Sequence, residues 1–328
     1  MGGRVWVRRW AGRLRRAVLA ALVTGAVVVP VSAAAHPEIP APAPARLAPV
    51  TAASLDTAYA ANRATAARAA TMAADHGAAG RARELRAMAS GGRTFLQLDP
   101  RGPGRTAEVF GDLAHAARIA VLVPGSDTSI DTYGRFRAGA LALHEKLGAR
   151  AAVVAWLGYE TPGTVSTAVT TTTRADRAAP ELTAFVSRLH AVAPPSAAVS
   201  LLCHSYGTVV CAAAAPDLHG GSAVTDLALV GSPGTGADSA ADLATTARVW
   251  AARGADDWIA DVPHVRADVL GTTIGFGADP VSAAFGARVF AAGDGGHSDY
   301  FRPGSPSLDN LARIVAGRYA DITEPTHD

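Results

Sequence analysis

The stretch Leu201-Leu202-Cys203-His204-Ser205-Tyr206-Gly207-Thr208-Val209-Val210 constrains this chain more than any other. The apolar run from Ala197 to Cys203 is too short for a typical helix and reads as a buried strand. From Thr208 to Ala215 the residues are small and mostly apolar and read as a closely packed helix. Between them stands His-Ser-Tyr-Gly, with Ser205 at the turn. A strand that reverses tightly into a helix pushes the middle side chain outward, and small neighbours let the two backbones approach. This is the geometry of a nucleophile elbow, in which the next backbone N–H can donate to an oxyanion. The usual pattern is G-x-S-x-G, and here Cys203 replaces the first glycine. A bare S-x-G is common in loops, so the residues downstream carry the weight.

The chain before that stretch divides by composition. Residues 1–16 hold six arginines and no acid, Ala17 to Val31 is apolar, and Ala33-Ala34-Ala35 precedes His36. A basic start, a short apolar middle and an Ala-x-Ala end predict a secretory signal peptide over 1–35, cleaved after Ala35. The apolar run is short of the ~20 residues that a membrane span needs, so a secreted chain without a stable membrane anchor is expected. Arg15-Arg16 also fits a twin-arginine signal, and the export route stays open. Without the leader's six arginines, 24 basic residues face 28 acidic ones, a net charge of −4. Nothing then points to a nucleic-acid partner. Residues 36–50 carry five prolines and read as a Pro/Ala-rich linker. Residues 51–92 are alanine-rich and read as two helices broken near His76-Gly77, packed on the main domain or leaning over its site.

From residue 93 to 328 the texture becomes that of alternating strands and helices. Thr94–Leu98 and Arg105–Phe110 predict a hairpin. Strands are expected at 118–123, 151–157, 225–230, 247–252 and 287–291, with helices at 132–147, 174–192 and 308–319. The alternation predicts an α/β fold with a mostly parallel central sheet and helices on both faces. Sites in such sheets lie at the carboxyl ends of the strands, where Ser126, Tyr159, Ser205, Asp257 and His297 all fall.

A serine nucleophile needs a base, and the base needs an orienting carboxylate. Downstream, Arg253-Gly254-Ala255-Asp256-Asp257-Trp258-Ile259 ends one strand and Gly293-Asp294-Gly295-Gly296-His297-Ser298-Asp299-Tyr300 ends the last. The order Ser, Asp, His, each residue just past a strand, is that of an α/β-hydrolase. Together with Val123-Pro124-Gly125, Trp156-Leu157-Gly158-Tyr159 and Gly296-His297-Ser298-x-Tyr300, it makes the chain resemble the actinobacterial α/β-hydrolase family long labelled a domain of unknown function. The resemblance covers about Thr94 to Tyr319. It implies Ser205 as nucleophile, His297 as base and Asp257 as carboxylate, with adjacent Asp256 as the rival and Asp238 a more distant one. The oxyanion donors are expected at the backbone N–H of Tyr206 and of Ser126 or Asp127.

Other chemistry finds less support. His115, His144, His190, His219 and His264 are scattered without ligand spacing, and no paired Cys-x-x-Cys or His-x-x-x-His occurs, so no metal is expected. No Gly-x-Gly-x-x-Gly follows a strand, so no nucleotide cofactor is expected. Cys203 and Cys211 flank the nucleophile and are either a disulfide or two buried thiols. Only Gly231 to Ala247 separates two strands where lids are often inserted, which leaves little room for a cap. These readings converge on a secreted serine hydrolase acting on small or lipid-like carboxylic esters. A peptidase or amidase with the same triad, or a binding protein on a hydrolase scaffold, are the alternatives.

Overall fold

The apolar strand runs do assemble into one sheet. The computed structural model describes residues 38–262, 267–269 and 272–325; the leader expected at 1–35 and His264 lie outside them. Pro40–Asp328 forms one unit, and the other, Met1–Ile39, lies outside the described residues except for Glu38 and Ile39. The strands of the main sheet are β1 (Thr94–Asp99), β2 (Arg105–Phe110), β3 (Arg118–Val123), β4 (Ala151–Leu157), β5 (Ala198–His204), β6 (Asp226–Val230), β7 (Arg248–Ala252) and β10 (Arg288–Val289). Strands β8 (Ala267–Val269) and β9 (Thr272–Ile274) pair apart from it. The main sheet has the order β1-β2-β4-β3-β5-β6-β7-β10. The pairs from β4 through β3, β5, β6 and β7 to β10 are parallel; β1–β2 and β2–β4 are antiparallel. A sheet of this kind is covered on both faces, which is why every residue of β4 and of β6 is buried.

Period-two alternation sorts the two faces. Ile119, Val121 and Val123 of β3 join one core cluster with Leu182, Phe185 and Leu189 of the helix Thr173–Val192 and Val209 and Val210 of the helix Tyr206–Ala214. The intervening Ala120 and Leu122 are buried on the other side. The helix Tyr133–Leu147 packs on β4 and on the helix Pro306–Val315, which lies on β3, β5 and β6. With helices α1 (Leu55–Asp75) and α2 (Ala79–Ala89) of the N-terminal segment, these four are α3 (Tyr133–Leu147), α4 (Thr173–Val192), α5 (Tyr206–Ala214) and α6 (Pro306–Val315).

Helices α1 and α2 are broken at Gly77, with φ +80°. They pack at the sheet edge: the Asn62 amide donates to the Phe95 carbonyl of β1 at 2.7 Å. Three strands separate that edge from β5, the strand that leads into Ser205. Arg81 of α2 is buried and donates to both carboxylate oxygens of Asp131 at 2.6 and 2.8 Å, just beyond the loop that follows β3.

Two boundaries differ from expectation. The last strand is two residues, not five, because β10 touches only β7 and is released after Val289. The closing helix stops at Val315, not Tyr319, because Gly317 turns left-handed at φ +72°.

Cys203 and Cys211 are joined as a disulfide, with Cα atoms 6.5 Å apart. The bond ties the end of the elbow strand to the middle of its helix, and both residues are fully buried. Closing a loop of this length removes about 2.5 kcal/mol of unfolded-chain entropy. The double variant Cys203→Ala, Cys211→Ala is therefore expected to unfold roughly 5–10 °C lower. Calorimetry of both proteins checks this, and an unchanged midpoint would contradict it.

Candidate active site

The elbow is built by close backbone approach. Ser205 sits between β5 and α5 with φ 53° and ψ −127°, a conformation that costs a non-glycine residue of order 1–3 kcal/mol. Gly207 explains how the turn fits, since a Cβ there would stand 2.6 Å from the carbonyl oxygens of both Val123 and Pro124. Gly125 carries the same burden on the opposite loop. A Cβ at that position would lie 2.6 Å from the Cβ of Ser205 and 3.1 Å from its hydroxyl. Replacement of the first motif glycine by Cys203 is accommodated because that side chain turns into the core and bonds Cys211.

The Ser205 hydroxyl donates to His297 Nε2 at 2.8 Å. His297 Nδ1–H donates to Asp257 at 2.8 Å to Oδ1 and 3.1 Å to Oδ2. An ionised carboxylate only accepts, so Asp257 fixes the proton on Nδ1 and turns the Nε2 lone pair toward the serine. Asp257 is itself held by the Ile259 N–H at 2.9 Å and by the Tyr300 hydroxyl at 2.5 Å. Burial pushes its pKa up, but the hydrogen bonds from His297, Tyr300 and Ile259 outweigh this and leave it below the usual carboxylate value. The carboxylate therefore stays charged although Asp257 is only 2 % exposed.

The rival acids lie elsewhere. Asp256 is exposed, whereas His297 Nδ1 bonds the buried Asp257, and Asp238 sits beside Gly277. The strand end explains the choice: Gly254 packs so tightly on Gly295 that a Cβ would stand 1.9 Å from its carbonyl oxygen. That contact brings the two loops together and sets Asp257 against His297.

In the loop after β3 the Asp127 backbone and side chain both have partners. The Asp127 N–H donates to the Pro162 carbonyl at 3.0 Å, so it is already engaged. Its side chain accepts from the Thr164 N–H at 3.1 Å and from the Thr164 hydroxyl. Tyr159 donates to the Pro124 carbonyl at 2.6 Å, and Thr161 Oγ1 to the Thr128 carbonyl at 2.8 Å. Segment 159–164 thus braces the loop on both sides of Ser126. The Tyr206 N–H lies in the first turn of α5, where no helical carbonyl lies behind it. The stretch Trp156-Leu157-Gly158-Tyr159 gains a physical reading here. Gly158 leaves room for the Trp156 indole, 2.2 Å from where a Cβ would be, and Tyr159 braces Pro124.

Two further residues bear on the arrangement of Ser205, His297 and Asp257. Tyr300 closes the Gly-His-Ser-x-Tyr motif; besides holding Asp257, its oxygen accepts from the Gly254 N–H at 3.0 Å. His204 packs against His297, ring centroids 4.8 Å apart, and its Nε2–H donates to the His297 carbonyl at 2.6 Å. In the sequence His204 reads as a packing and positioning residue of the elbow, and Tyr300 is marked only by its place three residues after His297.

The chain matches the alpha/beta hydrolase family over residues 99–267, more than half of its length. It belongs to the alpha/beta hydrolases. This alpha/beta hydrolase is 29 % identical over 251 residues to an uncharacterized protein of Mycobacterium tuberculosis, a match covering 66 % of this chain and 37 % of that one. It is 31 % identical over 168 residues to an uncharacterized protein of Mycobacterium bovis, covering 46 % of this chain and 62 % of the other. The chain thus spans little more than a third of the first relative. Among solved structures it is similar to a serine hydrolase without a lid from Xanthomonas campestris, at 17 % identity and TM-score 0.44, covering 73 % of this chain and 98 % of that one. Esterase LipW from Mycobacterium marinum is similar at 13 % identity and TM-score 0.42, covering 78 % and 90 %.

His204 gives this hydrolase a pH-dependent weak point. Desolvation, with repulsion from His297 next, lowers its pKa from 6.5 to about 4, against smaller upward contributions from its hydrogen bond to the His297 carbonyl and from Asp257. In the unfolded chain the group protonates near 6.5, whereas in the fold it resists until about 4. Stability is therefore complete above about pH 6.5 and falls as the pH drops toward 4, by up to about 3 kcal/mol. His204→Gln keeps an N–H donor and cannot titrate, so its urea midpoint is expected to vary less with pH over that window. Equal slopes in the two proteins would count against the assignment.

Proposed function

We propose that this alpha/beta hydrolase is a secreted serine esterase that cleaves carboxylic esters through an acyl-enzyme on Ser205. The observation that carries the reading is the unbroken hydrogen-bond chain Ser205–His297–Asp257. In acylation His297 Nε2 takes the serine proton as Oγ attacks the ester carbonyl carbon. The oxyanion that forms is held by the N–H groups of Ser126 and Tyr206, each such donor worth about 2.7–4 kcal/mol of transition-state stabilisation. The tetrahedral species collapses, the C–O bond to the alcohol breaks, and Nε2–H protonates the departing oxygen. Water, deprotonated by the same nitrogen, then releases the acid and restores the serine. Asp257 stays ionised throughout and stabilises the imidazolium.

Export is part of the proposal. It is supported by the leader-like composition of residues 1–35 and by a disulfide, which persists in oxidising compartments. Among the described residues no helix is long and apolar enough to cross a membrane. N-terminal sequencing of protein recovered from the culture medium should begin at His36.

Turnover of p-nitrophenyl esters of increasing acyl length, with fluorophosphonate labelling mapped to Ser205 by mass spectrometry, tests the catalytic reading. Turnover with labelling at Ser205 supports it. Labelling with no ester turnover would move the assignment to amides, and neither would remove catalysis altogether.

A further inference from the structure

The imidazole of His297 has two aromatic neighbours, and they differ in what they leave open. The ring centroid of His204 is 4.8 Å away, and His204 is tied into the interior by its bond to the His297 carbonyl. The ring centroid of Trp258 is 4.6 Å from that of His297, at an interplanar angle of 47°. Trp258 is 50 % exposed, which is unusual for the largest apolar side chain, and it is one of only three large hydrophobic side chains exposed among the described residues.

Local backbone explains why the indole is held out. Asp257 caps the short helix Trp258–Asp261 by accepting from the Ile259 N–H, so the side chain before Ile259 is set outward while Ile259 itself is buried. The indole is thus fixed in solvent beside the base by the same carboxylate that orients the base. A rigid, half-exposed aromatic face is suited to desolvation by a ligand.

Its position says which part of a ligand. The acyl carbonyl must lie at Ser205, with its oxygen toward the N–H groups of Ser126 and Tyr206. The group that accepts a proton from His297 Nε2 is the oxygen of the leaving alcohol. Whatever is bonded to that oxygen emerges next to the imidazole, and of the two rings beside that imidazole the half-exposed one is Trp258. Resting on the esterase reading, we infer that Trp258 is a specificity residue for the alcohol half of the substrate and that this enzyme prefers esters of bulky apolar alcohols, aromatic or long-chain, over esters of methanol or ethanol.

The test compares two ester series on the full chain and on Trp258→Ala and Trp258→Phe. In one series butyrate is esterified to methanol, ethanol, benzyl alcohol and 2-naphthylmethanol; in the other ethanol is held constant and the acyl chain is lengthened. In the full chain kcat/KM should rise with alcohol size. Trp258→Ala is expected to lose about tenfold in kcat/KM on the benzyl and naphthylmethyl esters, less than twofold on the methyl ester, and to leave the ranking of the acyl series unchanged. Trp258→Phe should keep most of the preference, which also covers the case in which the alanine variant folds poorly. A loss equal across all alcohols, or a shifted pH profile on the methyl ester, would mean that Trp258 only positions His297 and would overturn the inference while leaving the esterase intact. An altered acyl ranking with the alcohol ranking unchanged would place the indole on the wrong half and overturn it as well. Absence of turnover by the unmodified chain in both series would overturn both the esterase reading and the inference that rests on it.

Discussion

Ser205→Ala, His297→Ala and the double variant are each expected to lower kcat on a p-nitrophenyl ester by about the same factor, on the order of 10⁶. The equality matters more than the number. Ser205 Oγ and His297 Nε2 are 2.8 Å apart and share one proton, so removing either abolishes the same step. If the two groups acted separately, their effects would multiply in the double variant. What remains in all three should be the contribution of the backbone donors and of binding, about 10³–10⁴ over water, since neither the Tyr206 nor the Ser126 N–H is touched by these changes. KM should move little, because both side chains act on the reacting atoms more than on the bound ground state. Single-turnover kinetics on the three variants read this directly. A double variant much slower than either single one would rule out a shared proton transfer. So would a Ser205→Ala protein that keeps turnover within tenfold of the unmodified chain.

How far the site can be read from residues alone depends on whether a residue's role is local in the chain. The elbow is local: β5, Ser205 and α5 are contiguous, and the need for a small residue at Gly207 comes from a strand and helix meeting there. The parallel sheet is legible for the same reason, each strand being a short apolar run with its own boundaries. Contacts between distant segments are not legible in this way. Asp256 and Asp257 are neighbours with the same chemistry; only the packing of Gly254 on Gly295 decides which faces His297. Ser126 and Asp127 are equivalent candidates until Pro162, a loop away, engages the Asp127 N–H. The two-residue length of β10 has the same origin, since the extent of an edge strand is set by its neighbour and not by its own apolar run. The disulfide likewise turns on a Cα separation that spacing alone does not give.

The carboxylate is where the remaining large effect lies. Asp257→Asn is expected to lower kcat by about 10⁴ while leaving the fold intact. The reason is the direction of one proton. Asp257 accepts from His297 Nδ1, from Tyr300 and from the Ile259 N–H. An asparagine amide turned with its NH₂ toward the imidazole would donate to Nδ1, force the proton to Nε2, and leave the base with no lone pair for Ser205. Turned the other way, the NH₂ would meet Tyr300, whose hydroxyl can rotate, and the imidazolium would still lack a charge beside it. Tyr300→Phe separates these contributions. It removes one of the bonds that keep the Asp257 pKa low, against the upward push of burial, so the carboxylate should protonate at higher pH in the variant. Asp257 therefore contributes stability and activity that are present above the ordinary carboxylate pKa and are lost as the pH falls through its lowered value; in Tyr300→Phe that loss should begin at higher pH. At neutral pH the same variant should cost only about tenfold, since His297 and Ile259 still hold the carboxylate. Asp256→Asn, at an exposed position, should change kcat less than twofold. Rate–pH profiles of the three variants decide the matter. Equal losses in Asp256→Asn and Asp257→Asn would mean that the carboxylate acts through loop packing, and a Tyr300→Phe profile superimposable on that of the unmodified chain would show that the phenol does not tune the acid at all.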